Sequence, residues 1–226
     1  MEIDEVVQWL GSCSDEERAT VLAFLRRKQP IHALEQQIGL PAEAILDAIG
    51  QAAGLTLRML RGVLAEAAFA HRVLASLPLV DRTPPGDHAY DYLLEDESGS
   101  FRLQVKLQRS KAGQPMYAWE ALRRLPKDQF VVETWKTRGG RGAEGRDTRP
   151  YRFGEFDVLA VSMQPSTGDW SRFHYTVAAW LHPDPQRPDQ LLKFQPVAPV
   201  PNADWTDDLE TVVGWLRSGV QRRIGG

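Results

Sequence analysis

The chain has 226 residues, of which 42% are hydrophobic and 25% charged, and its formal net charge is -3. These values are typical of a globular protein with one domain, or one domain and a small appendage, and they exclude collagen, coiled coil and wholesale disorder. No apolar run reaches the ~20 residues of a membrane span, and the acidic start of the sequence predicts no signal peptide. Cys13 is the single cysteine, so no internal disulfide can form, and we expect a protein of the reducing cytoplasm.

Positive charge is concentrated in one stretch of the chain. Residues 101–152 hold 13 Lys or Arg and 5 Asp or Glu, a balance of +8, whereas the rest holds 14 and 25, a balance of -11. A polyanion can therefore be attracted to one part of the surface, although the protein as a whole is slightly acidic. An unevenly charged, solvated surface is the alternative interpretation.

The first 56 residues are predicted to form a helical subdomain. Ser14 and Glu17 have the spacing of a capping box, which marks the start of a helix. The Ala- and Leu-rich segment 57–77 predicts a long helix, with which the second domain, residues 57–226, begins.

Two short helices of the N-terminal subdomain resemble a helix-turn-helix. Pro30 is placed to begin the first helix, Gly39 to end it and Pro41 to begin the second. Glu35 departs from the pattern, because such motifs usually have a small residue at this position, and the second helix is acidic. A DNA-reading element and a helical cap or dimerisation element therefore both remain open.

The elements that follow predict a mixed sheet flanked by helices, an α/β or α+β fold. Strand patterns occur at residues 89–95, 101–108, 130–136, 156–163 and 173–181. Helices are predicted at residues 116–125 and 203–223, a basic Gly-rich loop at 137–150 and a proline-rich segment at 183–201.

The first two predicted strands have the pattern of a β-hairpin with a five-residue loop. Side chains of a strand alternate between its two faces, so Gln104 and Lys106 share the polar face of the second strand. With the turn centred between Ser98 and Gly99, Asp91 is predicted to lie across from Lys106. We therefore expect Asp91, Gln104 and Lys106 to meet on one surface.

These three side chains suit metal-assisted cleavage of a phosphodiester. The Asp91 carboxylate and the Gln104 amide oxygen are hard donors for Mg²⁺, and the carbonyl of Val105 would be a third ligand. The Lys106 ammonium can orient water and stabilise developing negative charge, and Glu66, on the preceding helix, would add a carboxylate. Since half-exposed hairpins often carry Asp, Gln and Lys outward, a solvated face is the alternative.

The series Glu66, Asp91, Gln104-Val105-Lys106 resembles the active site of the PD-(D/E)XK nuclease superfamily in its QxK form. The resemblance covers roughly residues 57–181 and implies a restriction-endonuclease-like fold that hydrolyses double-stranded DNA with Mg²⁺. Many members are type II restriction enzymes that act as homodimers, and such an enzyme is the leading expectation. A homing, repair or junction-resolving nuclease of the same fold, and a non-enzymatic DNA-binding regulator, are the alternatives.

Three further features bear on this resemblance. No proline directly precedes Asp91, and Asp87, beside a Pro-Pro-Gly turn, is an alternative first acid. Gln104 stands where the family usually has Glu or Asp. Residues 148–161 resemble a family segment in which a strand follows a Tyr-x-x-Gly-x-x-Asp-like turn, and Tyr151 in this segment is interpreted as a core or interface residue.

DNA contacts are predicted for the basic residues that follow the lysine-bearing strand, because arginine and lysine clamp phosphates and arginine reads guanine edges. The predicted DNA-binding residues are Arg109, Lys111, Lys136, Arg138, Arg141, Arg146, Arg149 and Arg152.

Overall fold

The structure, a computed structural model, describes residues 2–28, 32–136 and 148–225. Between Leu57 and Arg58 the chain divides into two compact units. The α-helices in the described residues are α1 (Ile3–Ser12), α2 (Asp15–Lys28), α3 (Ala33–Ile38), α4 (Ala42–Gly50), α5 (Gly54–Arg72), α6 (Ala118–Ala121), α7 (Gln164–Thr167) and α8 (Leu209–Ser218). The β-strands there are β1 (Val80–Asp81), β2 (Tyr92–Asp96), β3 (Gly99–Leu107), β4 (Ser110–Lys111), β5 (Gln114–Pro115), β6 (Phe130–Glu133), β7 (Val158–Ser162), β8 (Phe173–Val177) and β9 (Phe194–Val197). None of these helices is both long and apolar enough to cross a membrane.

Side-chain caps define the helices of the N-terminal unit. At the start of α2, Ser14 N–H donates to Glu17 Oε2 at 2.8 Å and Glu17 N–H donates to Ser14 Oγ at 3.3 Å, which is the predicted capping box. Helix α3 begins at Ala33, where His32 Nδ1 accepts the N–H of Leu34 at 3.1 Å and caps the helix. The predicted first residue, Pro30, lies outside the described residues.

Glu35 links the two short helices that resemble a helix-turn-helix. Its Oε1 accepts the N–H of Ala42 at 2.6 Å, and its Oε2 accepts the N–H of His32 at 3.2 Å. Between the helices, Gly39 adopts a left-handed φ of 76° and ends α3, as its position in the sequence predicts. Glu35, which stands where the motif usually has a small residue, thus accepts hydrogen bonds from N–H groups that have no partner within the helix, at the starts of both helices.

The C-terminal unit contains a five-stranded mixed sheet in the order β1-β2-β3-β7-β8. Strands β3 and β7 are parallel, and the other neighbours are antiparallel. On one side of the sheet, Phe69 of α5 packs on the rings of Tyr92, Phe173 and Tyr175, with ring centroids 5.3–6.4 Å away. The predicted mixed sheet flanked by helices is therefore confirmed, and these ring contacts hold α5 against β2 and β8.

Several predicted elements are shorter than the sequence pattern suggests, or differ from it. The helix predicted at 116–125 is reduced to the four residues of α6, and the one predicted at 203–223 runs only from the Asp208 cap to the left-handed Gly219. The proline-rich segment 183–201 contains strand β9, because it pairs with β6. Such pairing between distant segments overrides local propensity.

The register of the hairpin between β2 and β3 differs from the prediction by two residues. Tyr92 pairs with Leu103 and Asp96 with Gly99, so the loop has two residues and not five. Asp96 Oδ1 accepts the N–H of Ser98 at 2.8 Å, and Gly99 has a φ of 122°, which tightens the turn. Because the shift is even, every side chain keeps its predicted face, but Asp91 comes next to Gln104 and not across from Lys106.

Candidate active site

Strand β3 continues past the start of β2, and there one of the edges of β3 is open. The pairing between the two strands stops at Tyr92, the first residue of β2. Just before it, Asp91 N–H donates to the carbonyl of Leu103 at 3.0 Å, and Asp91 Oδ2 accepts the N–H of Val105 at 2.7 Å. A side-chain carboxylate thus takes the place of a strand partner, and this holds an acidic group against the middle of the sheet.

The Gln104 amide lies in the middle of a polar cluster and is only 2% exposed. Its Nε2 donates to Asp91 Oδ2 at 2.5 Å and to the carbonyl of Val105 at 3.1 Å. Its Oε1 accepts the hydroxyl of Tyr151 at 3.0 Å. All the hydrogen-bonding groups around this buried amide are therefore contributed by three residues, two from the hairpin and one from a distant segment.

Lys106, two residues after Gln104 on β3, extends toward Tyr151. Its Nζ lies 3.4 Å from the Tyr151 hydroxyl and 5.2 Å from the centroid of the Tyr151 ring. Burial lowers the pKa of the Lys106 ammonium, whereas the carboxylates of Asp91 and Glu66 act in the opposite direction. The partly buried ammonium thus lies among acidic groups.

Glu66 belongs to the same electrostatic cluster. It lies on α5, where its backbone carbonyl accepts the hydroxyl of Tyr92 at 3.1 Å. Burial, together with the negative charge of Asp91, raises the pKa of Glu66 to about 7, against the opposing charge of Lys106. Burial also raises the pKa of Asp91, while Lys106 and the hydrogen bonds from Val105 and Gln104 oppose this shift. Two carboxylates with raised pKa values beside a lysine are typical of functional sites.

Tyr151 is the site residue that sequence reasoning missed. It is buried, as expected of a core residue, but its hydroxyl contacts both Gln104 and Lys106. The Tyr-x-x-Gly-x-x-Asp-like pattern that begins with Tyr151 was the sequence signal that could have identified it. The residues around Tyr151 in the sequence do not indicate, however, that this segment packs against β3. The other candidate acid, Asp87, is exposed, and it is Asp91 that contacts Gln104.

The basic residues predicted to bind DNA have varied surroundings. Arg138, Arg141 and Arg146 lie outside the described residues, Lys111 is exposed on β4, and Arg149 lies over the ring of Trp135 with its guanidinium carbon 4.7 Å from the centroid. The other three form ion pairs, namely Arg109 with Glu133 at 2.5 Å, Lys136 with Glu155 at 2.8 Å and Arg152 with Asp189 at 3.1 Å. These carboxylates offset part of the local positive charge.

The residues at the open edge carry donors of the types that Mg²⁺ takes in proteins. Asp91, Gln104 and Val105 have a carboxylate, an amide and a carbonyl oxygen, although the Gln104 amide turns its Nε2, and not its Oε1, toward Asp91. Within the residues that the structure describes, no group of three or more His, Cys, Asp or Glu side chains is arranged to hold a metal ion. A cation here would therefore depend on neutral oxygen donors as well as on carboxylates.

The chain matches no protein-family model. No curated protein matches it either. Among solved structures it is similar to a bacterial homing endonuclease, I-Ssp6803I, with 20% sequence identity and a TM-score of 0.34 over 53% of this chain and 68% of that chain. Similarity at this level assigns neither a fold nor an activity to this chain.

Proposed function

We propose that this protein is a Mg²⁺-dependent endonuclease that hydrolyses double-stranded DNA, and in particular a homodimeric type II restriction enzyme. The observation that carries the proposal is the open edge of β3. There the Asp91 carboxylate contacts both the backbone of Val105 and the amide of Gln104, with Lys106 at the following position. This is an acid, two neutral oxygen donors and an ammonium in one small region, as metal-assisted phosphodiester hydrolysis requires.

Asp91, Gln104 and the carbonyl of Val105 would hold the cation. A bound Mg²⁺ lowers the pKa of its water and offsets charge on the phosphate. The ammonium of Lys106 orients the attacking water and stabilises negative charge on the phosphate oxygens. The hydroxyl of Tyr151 lies within reach of the Lys106 Nζ and limits where that group can move.

Glu66 is suited to handle the proton released by the attacking water. Its pKa of about 7 lets it accept a proton near neutral pH. When ionised it would also add a second negative charge to the cation's surroundings, directly or through a water. Both roles are lost if the carboxylate is replaced by an amide.

A homodimer is part of the proposal, because the described residues form one such site and two sites are needed to cut both strands. The N-terminal unit, residues 1–57, is our candidate for its interface. Helices α1, α3 and α4 bury none of their described residues, and Trp9, Phe24 and Leu46 are all at least half exposed. Exposed apolar side chains in this number favour a protein partner over a solvated cap.

The test is cleavage of supercoiled plasmid, with Mg²⁺ or with EDTA, by the wild-type protein and by Asp91→Ala. We expect Mg²⁺-dependent nicked and linear products that Asp91→Ala does not form. Discrete bands from phage DNA support restriction, whereas cleavage of branched DNA alone would replace it with a junction-resolving activity. Intact DNA under every condition, with binding that Lys106→Ala leaves unchanged, would favour a DNA-binding regulator and contradict the proposal.

A further inference from the structure

The Gln104 amide has two chemically different ends, and its surroundings determine which end faces the open edge. Asp91 Oδ2 and the carbonyl of Val105 are both acceptors, so the NH₂ end lies between them, at 2.5 and 3.1 Å. The amide nitrogen, with its partial positive charge, therefore stands where the same two oxygens would hold a cation. In the arrangement described, the amide oxygen points away from that position, toward Tyr151.

A cation between these oxygens would reverse the preference. The amide NH₂ would then face a positive charge, whereas the amide oxygen would be a ligand. The end of the amide that faces away from Asp91 is buried, so it needs a hydrogen-bond partner in either orientation. Tyr151 meets this need, because a phenol can both donate and accept. It now donates to Oε1 at 3.0 Å and can accept from Nε2 after a turn of the amide.

We propose that the Gln104 side chain is a two-position element that closes the cation site with its NH₂ group and turns over when a divalent cation binds, with Tyr151 pairing its remote end in both positions. This inference rests on the proposed function, since it takes the cation to bind at Asp91. It assigns to the neutral glutamine a task that an ionised glutamate cannot perform, because a carboxylate has two like ends and has no N–H to donate to Asp91 when no cation is bound.

The experiment is side-chain amide NMR on the full chain, with Mg²⁺ added at a slightly alkaline pH. The Gln104 NH₂ resonances are assigned by their loss in Gln104→Glu. Without Mg²⁺ we expect no contact from these protons to the Tyr151 ring, and with Mg²⁺ we expect such contacts to appear and to saturate. Gln108 is the internal reference, because this buried glutamine lies on the same stretch of chain and its Oε1 accepts the N–H of Ser166 at 3.1 Å.

Calorimetry of Mg²⁺ binding by the wild type and by Asp91→Asn separates the possible failures. Mg²⁺ binding that needs Asp91, with Gln104 NH₂ protons that stay in place, overturns this inference and leaves the nuclease proposal standing. Contacts from NH₂ to Tyr151 already present without Mg²⁺ also overturn it. If no binding depends on Asp91, both proposals fail, and a protein that turns its amide over but cuts no DNA contradicts the nuclease proposal alone.

Discussion

Asp157 and Arg102 are joined by four hydrogen bonds that connect the start of β7 to the middle of β3. Asp157 Oδ1 accepts from Nη2 at 2.8 Å, and Asp157 Oδ2 accepts from Nε at 3.0 Å and from the backbone N–H of Arg102 at 2.8 Å. In return the N–H of Asp157 donates to the carbonyl of Arg102 at 2.8 Å. The parallel strands β3 and β7, the pair that carries the candidate site, are thus joined just before their first paired residues by a bidentate guanidinium–carboxylate pair, the Arg102–Asp157 clamp.

Asp157→Asn is expected to lower the free energy of unfolding by about 2 kcal/mol, because an amide cannot accept all the hydrogen bonds of the guanidinium. The measurement is urea denaturation. Asp189→Asn is the matched control, since the Arg152–Asp189 pair is more exposed, and surface pairs contribute only about 0–1 kcal/mol. Equal losses in the two variants would mean that the clamp has no special role.

Lys106→Met is expected to reduce DNA cleavage about 10²–10³-fold, because the stem remains while the charge near the phosphate is lost. DNA binding in EDTA, measured by gel shift, should stay within a few-fold of the wild type. Stability should not fall, since burial already opposes the charged form of Lys106. An active Lys106→Met protein would remove this lysine from the mechanism.

Glu66 makes stability depend on pH in the absence of metal. Its folded pKa of about 7 lies above its ordinary value of 4.5, so between these values the folded state binds more protons than the unfolded state. The free energy of unfolding therefore decreases as pH rises through this window and becomes level above it. After allowance for partial exposure, the decrease due to Glu66 is about 1–2 kcal/mol.

Glu66→Gln is expected to remove this part of the pH profile. Thermal unfolding in EDTA, followed at several pH values across the window, compares the variant with the wild type. Its profile should be flatter, and the variant should gain stability over the wild type as the pH rises to 7 and above. Parallel profiles would show that the carboxyl of Glu66 is not desolvated in the folded protein.

Gln104→Glu is expected to retain Mg²⁺-dependent cleavage and to bind Mg²⁺ about tenfold more tightly, because it adds a negative charge to the ligand set. Without metal it should be less stable, since two carboxylates then face each other with no NH₂ group between them. Denaturation with and without Mg²⁺ measures both effects. A variant that is more stable than the wild type without metal would contradict the arrangement of Asp91 and Gln104.

Lys111→Ala is expected to weaken non-specific DNA binding and to lower the salt slope of the binding constant by about one, because one phosphate contact is lost. Arg152→Ala should have a smaller effect, since Asp189 already offsets its charge. Fluorescence anisotropy at several salt concentrations makes the comparison. A larger effect at Arg152 would show that DNA displaces the Asp189 partner.

What the sequence determined by itself is local. Hydrogen-bonding caps and side-chain periodicity act over a few residues, so Ser14 and Glu17 predict the start of a helix, and alternation along β3 predicts that Gln104 and Lys106 share a face. The mixed sheet flanked by helices could also be predicted, because the order of elements limits the layers they can form.

Only the tertiary structure decided the rest. The two-residue turn set the hairpin register and brought Asp91 to Gln104, and packing brought Tyr151 back to β3 across 47 residues of chain. Acidic partners such as Glu133 and Asp189, which offset the predicted DNA-binding cations, also come from distant segments. These contacts depend on how elements that are far apart in sequence pack on one core, and no short stretch of sequence encodes that packing.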